Sequence, residues 1–156
     1  MGDSRKLIGV CGLYCGACYH YCAASPDAQH LLDEASRQGC ELQGFVCAGC
    51  RSDALYVHPG CSECEIRACA DARGFQHCGQ CPNLPCSLLS AFQHNGRPHH
   101  LDVVKNLRDL MAKGSDSWLA EQRMRWTCGC GARFSWYERS CHLCGVPLNS
   151  YGEDAA

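Results

Sequence analysis

The chain is poor in the residues that usually build a protein interior. Leu, Ile, Val and Phe together number 27 of 156 residues, about 17%, below the level at which such a chain normally sustains its own hydrophobic core. Excess charge is lacking too. The formal net charge is −2, which excludes the highly charged composition of an ordinary disordered chain. Neither sign dominates and the pI is near 6.4, so the basic face of a general nucleic-acid binder is missing. No long apolar run occurs. The opening MGDSRKLIGV has no secretory signal core, and no stretch approaches a membrane-spanning length. Lys6 stands where a myristoylation signal requires Ser or Thr. These absences predict a cytoplasmic, monomeric protein without membrane or nucleic-acid association. Any partner is a protein or small molecule that the sequence does not identify.

Cysteine is present in abundance, with 17 residues. A reducing compartment keeps such thiols free, and the odd count does not suit a complete disulfide framework. Metal ligation is therefore the expected use. One structural zinc contributes roughly 10–16 kcal/mol of apparent binding energy, comparable to the stability of a whole domain. The expected fold is a small, metal-stabilised α+β protein of short helices and zinc-ribbon-like knuckles with little regular sheet.

The densest stretch is CSECEIRACADARGFQHCGQCPNLPC, residues 61–86. The pairs Cys61/Cys64 and Cys78/Cys81 each enclose two residues, a spacing that turns two thiolates onto one metal. Between them Glu65–Arg73 reads as a helix ended by Gly74, with Cys64 at its N-terminus, where backbone N–H groups favour a thiolate. Upstream, Cys47 and Cys50 stand ten residues before Cys61/Cys64, which resembles a zinc ribbon with Leu55, Tyr56 and Val57 as strand. His58 is more simply a surface residue. In the tail, WTCGCGARFSWYERSCHLCG pairs Cys128/Cys130 with Cys141/Cys144, again ten residues apart. That is a strong four-thiolate signal, although the first pair is one residue short; His142 is read as a non-ligand.

The start reads CGLYCGACYHYC. On one continuous helix Cys11, Cys15, Cys18 and Cys22 would make a row about 16 Å long, too long for one metal. Gly12 and Gly16 instead favour a loop gathering Cys11, Cys15 and Cys18, the alternative being a helix that buries a thiol stripe. Three thiolates would leave a position open, with His20 or Cys40 as candidate fourth ligand. Otherwise Cys40 is a spare thiol.

Helices are expected from Ser25 and Pro26 to Gly39, over Ser87–Gln93, over Leu101–Lys113 and from Trp118 to Met124, the last capped by Asp116 or Ser117. A short strand is expected over Leu7–Val10. His94, His99 and His100 fall in a polar loop and are read as solvated. Arg123, Arg125, Arg133 and Arg139 mix with Trp126, Phe134, Trp136 and Tyr137. These could stack nucleotide bases, but a small core for the tail is the favoured reading. Tyr14, Tyr19, His20 and Tyr21 are candidates to line a pocket. Three units follow: a cysteine-rich domain over 7–95, a helical hairpin over 96–126 and a zinc ribbon over 127–150. The ribbon's ligands are local, which predicts semi-independent folding.

Taken together, CGLYCGAC, CAGC, CSECEIRACA, CGQCPNLPC, the helix around NLRDL and WTCGCG…CHLCG resemble the cysteine-rich family catalogued as domain of unknown function 3795, over about residues 10–146. The resemblance implies a small cytoplasmic metal-binding protein and brings no reaction with it. The Cys128-Gly-Cys130 spacing departs from the usual ribbon.

Counting suggests four groups: Cys11, Cys15, Cys18, Cys22; Cys47, Cys50, Cys61, Cys64; Cys69, Cys78, Cys81, Cys86; and Cys128, Cys130, Cys141, Cys144. Cys61 or Cys64 could exchange with Cys69. Zinc is the expected metal. The alternative is a redox or sensing iron–sulfur protein with a [4Fe–4S] cluster at Cys11, Cys15 and Cys18. No nucleophile–base pair or carboxylate pair stands out, so a non-catalytic role is favoured; an interaction module for protein or nucleic acid is a further alternative.

Overall fold

The periodic apolar residues Val103, Val104, Leu107 and Leu110 build the element around which the chain packs. A computed structural model describes residues 4–25, 28–31, 33, 47–52 and 59–153. Its longer helices, in chain order, are α1 (Tyr19–Cys22), α2 (Pro59–Ser62), α3 (Glu65–Ala72), α4 (Ser87–Gln93), α5 (Val103–Lys113) and α6 (Ser115–Arg125). Residues 29–31 are also helical. Cys40, Leu55–Val57, His58 and most of the helix expected over 25–39 lie outside the described residues.

Helix α5 serves two apolar clusters at once. Val103, Val104 and Leu107 pack with Val10, Ile66, Ala70 and Leu89. Leu110, one turn on, packs with Leu7, Ile8, Tyr14 and Ala17 from the start of the chain and with Trp118 and Trp126. The tail's Phe134 and Trp136 belong to this second cluster. Burial of about 150–250 Å² per aromatic ring compensates for the scarcity of aliphatic residues. The thin aliphatic composition is therefore met partly by tryptophan.

Several expectations are met closely. Cys64 is the N-cap of α3, and α4 spans Ser87–Gln93. The N-terminal cysteines do not share a continuous helix: a 3-10 turn covers Cys15–Ala17, Cys18 is extended, and α1 follows. Others need correction. Residues Leu7–Val10 form no strand; Ser4–Leu7 is a 3-10 turn and Ile8 makes one antiparallel bridge to Tyr14. Helix α6 begins at Ser115, directly after Gly114, so neither Asp116 nor Ser117 caps it. Among the described residues the β component is three isolated bridges: Ile8 to Tyr14, Thr127 to Arg133 and Ser140 to Pro147. The described residues are thus mostly helical with little sheet.

His99 and His100 are buried, not solvated, at 6% and 5% exposure. His99 stacks on Trp136 at 4.2 Å and His100 on Phe92 at 3.8 Å. Burial is the main reason their basicity falls, to about 3 and about 4 respectively. The tail aromatics Trp126, Phe134 and Trp136 are likewise buried, as the core reading expected. Tyr14 is buried against Trp118 in an edge-on contact.

Candidate metal centre

Two tight turns form the tail site. In the first, the Cys128 N–H donates to Ala132 O and the Gly131 N–H to Cys128 O, both at 2.8 Å. In the second, the Cys141 N–H donates to Val146 O and the Gly145 N–H to Cys141 O, both at 2.9 Å. Each turn is closed by one of the antiparallel bridges. The turns face each other. Cys128 Sγ lies 3.6 Å from Cys144 Sγ, and Cys130 Sγ lies 3.6 Å from Cys141 Sγ. All four sulfurs fall within 4.8 Å of one another. A zinc ion about 2.3 Å from four tetrahedral sulfurs sets them roughly 3.8 Å apart, so the donor set fits one such ion.

The thiols influence one another. Backbone N–H groups of Cys144 and Leu143 lower the Cys141 thiol to about 6, whereas the Cys130 and Cys144 thiols are raised, so Cys141 loses its proton more readily than these two. Cys128 and Cys141 are buried, whereas Cys130 and Cys144 are exposed.

A second set of ligand atoms, His30, Glu138 and His142, comes within 4.8 Å. His30 Nε2 lies 3.0 Å and His142 Nδ1 3.9 Å from Glu138 Oε1. The two imidazoles are stacked with centroids 3.7 Å apart and planes 11° apart. Ring nitrogens coordinate in their ring planes, so parallel stacked rings direct their lone pairs side by side rather than to one point. The arrangement is a carboxylate-anchored imidazole stack. Sequence reasoning missed it; the Glu138/His142 spacing of four was its only local signal.

Among the described residues no other three ligand atoms come within 4.8 Å. Several of the remaining cysteines pack in the same regions. Cys11, Cys50 and Cys64 lie against the Val10 cluster, and burial drives the Cys11 thiol strongly upward. Cys15 is also raised, chiefly by burial. Cys61 is exposed. Cys18 is raised to about 12, chiefly by burial. Cys22 donates its S–H to Gly16 O at 3.3 Å, and Glu138 and Arg133 are its charged neighbours. Cys69, Cys78, Cys81 and Cys86 line one cavity.

Two glycines bring these segments together. Gly12 has φ +96°, and a Cβ there would lie 2.6 Å from Val103 O. The Asn106 amide locks the approach by donating to Gly12 O at 3.0 Å. Gly49, at φ +110°, would place a Cβ 2.5 Å from Lys6 O, so the Cys47–Cys50 turn rests directly on the start of the chain. Arg51 then extends from this turn to α3. Its guanidinium pairs with Asp71 and donates to Phe75 O at 2.9 Å and Gln76 O at 2.8 Å.

The family described as "Protein of unknown function (DUF3795)" matches residues 7–91. The chain belongs to this family. The match covers the cysteines from Cys11 to Cys86 and stops short of the tail centre, so α5, α6 and the four tail thiols, which the sequence comparison of motifs had included, lie beyond it. No curated protein and no solved structure matches the chain.

Proposed function

We propose that this DUF3795 protein is a non-catalytic, metal-stabilised protein of the cytoplasm whose tail centre holds a structural zinc and whose remaining cysteines bind further metal. The observation that carries the reading is the approach of Cys128, Cys130, Cys141 and Cys144 to tetrahedral sulfur spacing. Four thiolates close the coordination sphere and leave no position for a substrate. The sixteen described cysteines are all free thiols, which suits a reducing compartment. The scarcity of aliphatic residues gives bound metal a direct role in stability.

Native mass spectrometry with elemental analysis, on protein isolated without oxygen, tests this. At least three tightly bound metal centres are expected, one of them a zinc lost on Cys144→Ser. Folded protein carrying one metal or none would refute the reading.

A further inference from the structure

We propose that Cys69, Cys78, Cys81 and Cys86 hold a [4Fe–4S] cluster, so that the chain carries two chemically different metal centres. This rests on the reading of the cysteines as metal ligands and specifies what one group binds.

The contrast with the tail is geometric. There the sulfurs stand 3.6 Å apart in pairs, the spacing of ligands to one small ion. The other four cysteines border one cavity, yet no three of their sulfurs come within 4.8 Å of one another. A cubane cluster takes one thiolate at each of its four irons. Its ligand sulfurs therefore stand apart by the width of an inorganic core and surround a space.

The cavity that these cysteines border measures about 30 Å³, where a single water needs roughly 10–15 Å³, so it exceeds a water site. The walls besides the thiols are largely apolar, with Ile66, Ala70, Phe75 and Leu89 among them. An empty apolar cavity destabilises the protein that contains it, and these walls offer water few partners.

The cavity walls are held by the core. Ile66, Ala70 and Leu89 are 4%, 3% and 1% exposed and pack with Val103 and Leu107 on α5. Cys69 lies on α3, Cys78 opens a 3-10 turn, Cys81 ends it, and Cys86 is the N-cap of α4. The four cysteines are thus carried by separate elements around the cavity.

Two donors already point at the ligand sulfurs. The Leu89 N–H donates to Cys86 Sγ at 3.5 Å, and Arg73 Nη1 to Cys81 Sγ at 3.7 Å. Hydrogen bonds of this kind favour the more negative, reduced cluster and raise its potential. Loading is a ligand exchange from a [4Fe–4S]²⁺ core carried on small thiolates: at each iron one cysteine–Fe bond forms as one carrier thiolate–Fe bond breaks, the cysteine's proton leaves on the departing thiol, and no electron is transferred. Cys69 is exposed, which leaves one corner of the cluster at the surface, open to air and to an electron-transfer partner.

The test uses full-length protein isolated without oxygen. Iron, acid-labile sulfide and zinc are measured for the native chain, Cys81→Ser and Cys144→Ser. Cys81→Ser is expected to remove four irons and four sulfides and to leave the tail zinc. Cys144→Ser is expected to do the reverse. Arg73→Ala provides a second measurement should Cys81→Ser fail to fold: the iron should remain and its reduction potential should fall. Native protein with zinc but no labile sulfide would overturn the cluster and leave the tail assignment standing. Iron and sulfide without zinc would support the cluster and overturn the tail assignment. An unchanged potential in Arg73→Ala would also count against the cluster at this site.

Discussion

The backbone N–H of Trp136 donates to the carbonyl oxygen of Ala17 at 3.0 Å. This bond joins the tail to the cysteine loop at the start of the chain, and the Trp136 ring lies in the same apolar cluster as Ile8, Tyr14 and Ala17. Metal in the tail should therefore stabilise a segment more than a hundred residues away. Cys144→Ser leaves three thiolates and opens the zinc site. Hydrogen exchange should then show lost protection over residues 127–148 and also over 7–17. Retained protection over 7–17 would mean that the tail folds as a separate unit.

The approach of the first cysteine loop to α5 predicts a difference between two glycine substitutions. At Gly12, alanine meets φ +96° and a Cβ placed 2.6 Å from Val103 O and 2.8 Å from Leu107 Cγ. At Gly96, φ is +88° but nothing lies within 4 Å. Gly96→Ala should cost only the left-handed backbone penalty, about 1–2 kcal/mol. Gly12→Ala adds overpacking and should cost about 3 kcal/mol or more in total. Denaturant melts of the two variants measure this directly, and equal losses would show that the close approach is not retained in solution.

The buried histidines make stability depend on pH with a definite sign. His99 and His100 are held near 3 and 4 in the folded protein, against about 6.5 in an unfolded chain. Between those values the unfolded chain takes up protons that the folded protein refuses. Their contribution is thus intact above pH 6.5 and is lost progressively as pH falls towards 4, by up to about 1.4 kcal/mol per pH unit for each histidine. Thiolate protonation weakens metal binding in the same direction, so the diagnostic quantity is a difference between two proteins. His99→Phe keeps a ring against Trp136 and removes one titrating site. Its stability should fall less steeply between pH 6.5 and 5 than that of the native chain, in the same metal-buffered solution. Equal slopes would exclude His99 as a source of the acid sensitivity.

What the sequence reveals follows the range of the interactions. Helix α4 and the Cys64 cap depend on neighbours within a turn, and both are placed correctly from local pattern. The tail thiols gather because two tight turns sit close together in the chain. His99 and His100 sit in a run of loop-forming residues, HNGRPHH. Their burial depends partly on Trp136 and Phe92, which no local rule assigns to them. The start of α6 was missed because Gly114 itself serves as the N-cap, without a side-chain hydrogen bond. His30 meets Glu138 and His142 across more than a hundred residues, which spacing cannot encode.

The last prediction concerns which cysteines share a metal. Spacing alone separates Cys11, Cys15, Cys18 and Cys22 from Cys47, Cys50, Cys61 and Cys64. The folded chain brings members of the two groups together. Cys11, Cys50 and Cys64 pack against one apolar cluster with Val10, and Cys50 is among the groups that raise both the Cys11 and the Cys15 thiols. A metal bound by Cys50 should therefore need Cys11 as well. Native mass spectrometry of Cys11→Ser, Cys50→Ser and the double variant distinguishes the two groupings. If the ligands interleave, each single substitution removes the same centre and the double variant loses no more than either single. If the groups are separate, the losses add and the double variant lacks two centres. Tail zinc provides the internal standard, because neither substitution touches Cys128, Cys130, Cys141 or Cys144.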